Sequence, residues 1–309
     1  MKIVTLTLNP AFDIHCHTPN FQPFHENLAH ITAIDAGGKG INISRALTNM
    51  GVENTALVVL GEENADSFRR SLTADNIQFC EISVGGRIRE NITLHTENTP
   101  ETRISFAGFT VDDTLLKAVE QRLNELIDGN AILTVTGRNL EGLSMDALKD
   151  MLIRFRKKGV KQIVDSRSFS LQDLLDVRPW LIKPNEEEIG MYTDMAVKDL
   201  HGAKAATDEL RGKGIENVMI SLGSQGAILC CAEGSYVANA PRIKVLSTIG
   251  AGDSSIGGFC AAAKAGQHFS EMLRYAVAYG SAACMTEGTR PPEAASVEAL
   301  LHRIRVTKI

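Results

Sequence analysis

Ser247-Thr248-Ile249-Gly250-Ala251-Gly252-Asp253-Ser254 is the stretch from which the rest of the sequence is best read. Two glycines in three residues permit a tight turn and let the backbone approach a ligand closely. Behind the turn, Ile256, Phe259, Cys260 and Ala263 fall at i, i+3, i+4 and i+7, the spacing of a buried helical stripe, and Gly266 stands where a C-terminal stop is expected. The turn therefore predicts free N–H groups of Gly250, Ala251 and Gly252 at a helix N-terminus, an anion site suited to a phosphate in transfer. Asp253 has two readings. Kept ionised by the helix dipole, it accepts a hydroxyl proton while the amides hold the anion. Alternatively, it caps the helix and does nothing more.

Ala36-Gly37-Gly38-Lys39-Gly40-Ile41-Asn42 opens another helix, with Ile43, Ala46, Leu47 and Met50 as its apolar stripe and Gly51 as its stop. Glycines around a lysine suit an anionic or hydroxyl-rich ligand, or a turn needed only for packing. Gly40 after Lys39 excludes a Walker A loop, and the G-x-G-x-x-G dinucleotide spacing is missing, which sets aside a nicotinamide oxidoreductase. Lys183-Pro184-Asn185-Glu186-Glu187-Glu188 reads either as a capping box between Asn185 and Glu188 or as a place for hydrated Mg²⁺. Ser221-Leu222-Gly223-Ser224-Gln225-Gly226 reads as a hairpin or as a nucleotide cradle.

Strand-like runs (Lys2–Leu8, Asn54–Leu60, Ala131–Val135, Gln162–Asp165, Trp180–Ile182, Asn217–Ser221, Ala227–Cys231) alternate with helix-like runs (Ile41–Met50, Ala65–Ala74, Thr114–Ile127, Met145–Lys157, Leu200–Lys213). That order predicts an α/β protein with a mostly parallel sheet covered on both faces. Two stretches break it, about 13–34 and 86–107, where polar and apolar residues alternate without a helical period. They predict extra antiparallel strands, a small flap over a site, and dimerisation through its apolar face. His15 and His17 would share one face of an exposed flap strand, without a third metal ligand in view.

At 309 residues, 44% hydrophobic and 22% charged, the chain is neither disordered nor a coiled-coil rod. A net charge of −5 argues against nucleic acid as a partner. No apolar run reaches the ~20 residues of a membrane span, and the opening residues lack a signal sequence's apolar core. Six cysteines without C-x-x-C spacing suggest free thiols in a reducing cytoplasm.

The four segments, in this order and spacing over essentially the whole chain, resemble the PfkB group of ribokinase-like sugar kinases. The resemblance implies a ribokinase-like three-layer α/β sandwich with a mostly parallel central sheet plus a small β lid. The core would comprise 1–12, 35–85 and 108–309 with the ATP site, and the lid 13–34 and 86–107 over the sugar site. Thr7-Leu8-Asn9-Pro10-Ala11-Phe12-Asp13, Arg87-Ile88-Arg89-Glu90-Asn91 and Ser105-Phe106-Ala107-Gly108-Phe109 further resemble the branch that converts fructose 1-phosphate to fructose 1,6-bisphosphate. Branches acting on tagatose 6-phosphate or fructose 6-phosphate share most of these features.

By the same resemblance, ATP would lie along Lys183, Asn185, Ser221, Gly223, Gly226 and Gly252, with Mg²⁺ held through water by Asn185 and Glu188. Asp13, Gly38, Lys39, Asn42, Arg89, Asn91 and Arg138 would hold the sugar phosphate, with Asp253 as general base and Gly250, Ala251 and Gly252 as the anion hole. The family's S-G-S-L-P-x-G stands here as Thr136-Gly137-Arg138-Asn139-Leu140-Glu141-Gly142. Arg138 in place of a small serine either reaches the substrate phosphate or changes the preferred sugar, and Arg103 has no counterpart in the pattern. A sugar-phosphate-binding regulator without catalysis is the remote alternative, and it would lack the aspartate or the glycine turn.

Overall fold

Apolar residues of both parities in the central strands need cover on both faces of a sheet, and the structure supplies it. The structure, a computed structural model, describes residues 1–195 and 197–309. In chain order the first elements are β1 (Lys2–Thr7), β2 (Ala11–His17), β3 (His30–Gly37), α1 (Lys39–Asn49), β4 (Thr55–Gly61), α2 (Ala65–Ala74), β5 (Phe79–Val84), β6 (Arg89–His95) and β7 (Thr102–Ile104). There follow α3 (Thr114–Leu126), β8 (Ala131–Thr136), α4 (Met145–Lys157), β9 (Lys161–Asp165), α5 (Leu171–Val177), β10 (Leu181–Ile182), α6 (Leu200–Gly212) and β11 (Val218–Ser221). The chain closes with β12 (Ala227–Cys231), β13 (Gly234–Ala238), α7 (Ala251–Lys264), α8 (Phe269–Ala283), α9 (Ala294–Leu301) and β14 (Val306–Lys308).

Ten strands form the main sheet in the order β14-β13-β12-β11-β10-β9-β8-β1-β4-β5. It is parallel from β11 to β5, and antiparallel from β11 through β14. Strand period two divides its side chains cleanly. Val4, Leu133, Val164, Ile182 and Val218 enter the core under α2–α6. Ile3, Ile132, Ile163, Leu181 and Met219 enter the core under α1, α7, α8 and α9. The molecule is thus a three-layer α/β sandwich.

The two stretches that break the alternation supply a separate sheet, β3-β2-β6-β7. Its outer pairs are antiparallel, as the sequence suggests, but its central pair, β2 with β6, is parallel. The reason is topological. Strand β2 leaves the main sheet after β1, and β6 leaves it after β5, so both depart from the same end of parallel strands. One surface of this small sheet carries exposed apolar groups, with Ile31, Ile34, Ile104 and Phe106 half-exposed, and in the connection between β2 and β3 Phe24 and Leu28 are almost wholly exposed. His15 departs from the exposed-strand expectation. It is buried, its Nδ1 lies 3.1 Å from His95 Nε2, and its ring faces Gly288 of the loop after α8.

Candidate active site

Two helices begin on glycines, and the site is built between those beginnings. Gly38, with φ of 130°, precedes α1, and Gly250, with φ of 76°, precedes α7, both conformations that side-chain-bearing residues avoid. Neither helix start has a side-chain cap. The helices pack directly, Gly257 of α7 lying against Ala46 of α1, so their N-termini stand side by side. Asn42 Nδ2 of α1 donates to Asp253 Oδ2 of α7 at 2.9 Å, and Arg45 Nη1 donates to Asn42 Oδ1 at 3.0 Å, which fixes the amide's orientation. The capping reading of Asp253 is thereby set aside: its carboxylate is bonded to the neighbouring helix.

Burial also corrects the expectation that the dipole keeps this carboxylate simply ionised. Loss of solvent pushes Asp253 up to about 6, and Asp165 adds to the rise, against the pull of Lys39, the Asn42 hydrogen bond and Lys183. That value suits a group that takes a proton near neutral pH. The anion turn needs one correction as well. The Ala251 N–H donates to Thr248 O at 3.4 Å, and Ala251 does not line the cavity. Among the described residues, the amides of Gly250, Gly252 and Asp253 have no backbone partner, so they are free to donate to an anion. Lys183 flanks them: a Cβ on Gly252 would lie 3.4 Å from Lys183 Nζ.

Asp165 at the end of β9 is a site residue that the motifs do not reveal. It is buried, with Lys39 Nζ at 2.9 Å from Oδ2 and Lys183 Nζ at 3.8 Å from Oδ1. Burial opposes its charge, yet the two lysines hold it below the usual carboxylate range. For Lys39 burial likewise opposes the charge, and Asp165, then Asp253, outweigh it, so the ammonium is raised above its ordinary value. The rule that ligands of parallel sheets bind at the carboxyl ends of strands would have pointed to Asp165, since no local motif does.

The small sheet forms the opposite wall. Asp13 is buried and its Oδ1 accepts from Asn91 Nδ2 at 3.0 Å and from Arg103 Nη2 at 2.9 Å. Gly37 makes room for it, because a Cβ there would stand 2.2 Å from Asp13 Oδ2. Arg89 donates to the carbonyls of Asn9, Pro10 and Phe106. Burial first, and then the guanidiniums of Arg138 and Arg103, pull Arg89 below its ordinary value against the support of Asp13.

At the far end the capping box forms: Asn185 Oδ1 accepts from the amides of Glu187 and Glu188, and Glu188 Oε2 accepts from Asn185 N. Glu188 Oε1 also accepts from Arg167 Nε at 3.0 Å. Asn185 and Ser221 meet in a parallel bridge. Gly223 and Gly226 lie outside the cavity. A Cβ on Gly226 would come within 1.9 Å of Ala238 O, so that glycine serves the hairpin. Apart from Gly223, Gly226 and Ala251, every sequence-derived site residue lines one cavity of about 620 Å³. Among the described residues no three His, Cys, Asp or Glu side chains are grouped to hold a metal, and no helix is long and apolar enough to cross a membrane.

The profile of the pfkB family carbohydrate kinases matches residues 13–295. A 1-phosphofructokinase of Vibrio cholerae is 28% identical over 308 residues, which covers 100% of this chain and 97% of that one. A 1-phosphofructokinase of Escherichia coli is 30% identical over 303 residues, 98% of this chain and 97% of its own length. Among solved structures, phosphofructokinase-2 from Escherichia coli in complex with substrates and products superposes with a TM-score of 0.92 at 27% identity, over 98% of this chain and 99% of the other.

Proposed function

The chain belongs to the pfkB family of carbohydrate kinases and is a phosphotransferase that uses ATP, and within that family we propose that its acceptor is fructose 1-phosphate and its product fructose 1,6-bisphosphate. The observation that carries the chemistry is the buried Asp253 carboxylate, oriented by Asn42 beside the unpartnered amides of Gly252 and Asp253. In the reaction, the oxygen of the sugar's 6-hydroxyl forms a bond to the γ-phosphorus, the bond to the departing ADP oxygen breaks, and the hydroxyl proton passes to Asp253. Charge on the transferring oxygens falls among the amides, Lys183 and Lys39. Asp13 and Asn91 take the sugar hydroxyls, Arg89 takes the phosphate, and ATP runs from the Gly250 turn toward Ser221. The choice of fructose 1-phosphate is supported by the names of the relatives from Vibrio cholerae and Escherichia coli and by the Thr7–Asp13 and Arg87–Asn91 segments.

Asn185 and Glu188 offer hard oxygen donors at the cavity edge, which suit Mg²⁺. Each is already engaged in the capping box, so they would hold the ion through its water. Bound with ATP, Mg²⁺ neutralises phosphate charge. The exposed apolar face of the small sheet fits a second copy of the chain, giving a homodimer, with the small sheet as lid over the sugar. Six free cysteines support a cytoplasmic location.

ATP-dependent ADP release, measured with fructose 1-phosphate, fructose 6-phosphate, tagatose 6-phosphate, fructose and ribose, tests the acceptor. A kcat/KM highest for fructose 1-phosphate is expected. The likeness to phosphofructokinase-2 favours a second reading, a 6-phosphate acceptor, and a preference for fructose 6-phosphate would select it.

A further inference from the structure

Three guanidiniums face the acceptor half of the cavity, and they differ in what balances them. Arg103 is matched by Asp13, whose Oδ1 accepts its Nη2 at 2.9 Å. Arg89 is fixed by neutral carbonyls alone: Phe106 O at 2.9 Å, with Pro10 O and Asn9 O each at 3.3 Å. Arg138 lines the same cavity from the loop after β8, and among the described residues its side chain has no hydrogen-bond or ion-pair partner. Its backbone is not loose. Gly137 N donates to Asp165 O at 3.1 Å and Asn139 N donates to Ser168 Oγ at 2.9 Å, so its neighbours are tied to the end of β9 and to the loop after it.

Among the described residues no hydrogen bond or ion pair ties the exposed Arg138 side chain to the fold, and its charge opposes that of Arg89 nearby. Two positive charges therefore remain uncompensated, Arg89 on the small-sheet side and Arg138 on the main-sheet side. A phosphomonoester carries about −1.5 to −2 at pH 7, whereas sugar hydroxyls carry no charge. We propose that Arg138 reads the acceptor's phosphate, forming with Arg89 a clamp closed from two sheets, while Arg103 positions Asp13 for the sugar hydroxyls. The assignment rests on the sugar-phosphate kinase reading and goes beyond it by separating the tasks of the two arginines that depart from the family pattern.

The test compares Arg138→Ala and Arg103→Ala with the unaltered enzyme, using fructose 1-phosphate and fructose as acceptors. Loss of a charge-assisted contact of about 1.5–3 kcal/mol corresponds to a rise of about 10–150-fold in KM for fructose 1-phosphate in Arg138→Ala. The kcat/KM ratio of fructose 1-phosphate over fructose should fall by the same factor, with Tm and the KM for ATP unmoved. Arg103→Ala should depress kcat/KM for both acceptors and leave their ratio within about threefold, because Asp13 loses its orientation. Arg138→Lys, which keeps the charge but not the forked geometry, should restore part of the ratio. An unchanged ratio in Arg138→Ala, or a parallel loss for both acceptors, overturns the proposal. Calorimetric binding of fructose 1-phosphate without ATP separates this from the parent reading. Failure of the unaltered enzyme to phosphorylate any phosphorylated acceptor defeats the kinase reading, whereas binding that is absent or indifferent to Arg138→Ala defeats the clamp.

Discussion

The two walls of the cavity are organised in opposite ways. On the main-sheet wall, Lys183, Asp165 and Asp253 are buried and Lys39 is partly exposed; both lysines lie within ion-pair distance of Asp165, and Asp253 is bonded to Asn42. On the small-sheet wall, Arg89 and Arg103 stand with Arg138 opposite, and among the described residues only Asp13 offsets them. The first wall is a finished electrostatic device that awaits a reaction. The second is unfinished, and a ligand with negative charge completes it. Preorganised charge serves a transition state, because it needs no rearrangement when charge develops. Uncompensated charge serves recognition, because the penalty of leaving it unmatched selects the ligand that matches it.

The largest test of this contrast is Asp253→Asn. It should lower kcat by about 10²–10⁴ while leaving KM for the sugar phosphate nearly unchanged, since general-base work belongs to the transition state. Steady-state kinetics near those of the unaltered enzyme would erase the distinction between the walls. Asp165→Asn should damage the fold rather than recognition, because it strands Lys39 and Lys183 without their common counter-ion. A loss of about 3–5 kcal/mol, seen as a lowered Tm or urea midpoint, is expected from breaking a buried pair on one side. A stable Asp165→Asn protein would mean that the first wall is not held together by that carboxylate. Because the folded-state pKa of Asp165 is depressed, the stability it contributes is present at neutral pH and disappears as pH falls through that value.

Arg89→Ala should act on the other wall, raising KM for the sugar phosphate by about 10–100-fold with kcat within a few fold. An equal drop in kcat would assign Arg89 to the chemistry instead. The smallest effect is in pH. With Asp253 raised to about 6, kcat/KM should climb about tenfold per unit below that point and level off above it. A profile that is flat from about pH 5 to 8 would remove Asp253 as the titrating base.

Sequence reading reaches the first wall through its helices and the second through its strands, with unequal success. Gly38 and Gly250 are visible because a helix start on a glycine leaves a local imprint, apolar stripes following within a few residues. The alternation of strands and helices gives the three layers for the same reason. Asp165 leaves no imprint, for an aspartate ending a strand is ordinary until two lysines from distant segments converge on it. The elevated pKa of Asp253 is equally invisible, since its cause is burial by other elements. The participation of the Ala251 amide in a bond to Thr248, and the parallel rather than antiparallel pairing of β2 with β6, depend on geometry that composition and spacing do not encode. In the acceptor wall, the residues came from motifs, but the Arg103–Asp13 bond emerged only from the paired sheet.

The parallel pairing at the centre of the small sheet also dictates an order of assembly. Strands β2 and β3 join through a local connection, residues 18–29, and can meet early. The bond that seats Asp13 against Asn91 spans 78 residues, and the intervening chain contains β4, α2 and β5 of the other sheet. Joining such distant segments carries a large closure entropy, which becomes tolerable once the intervening elements have folded and shortened the effective loop. The Asp13–Asn91 contact therefore closes only after β4, α2 and β5 have folded, and protein recovering from denaturant should regain its helices before it regains that contact.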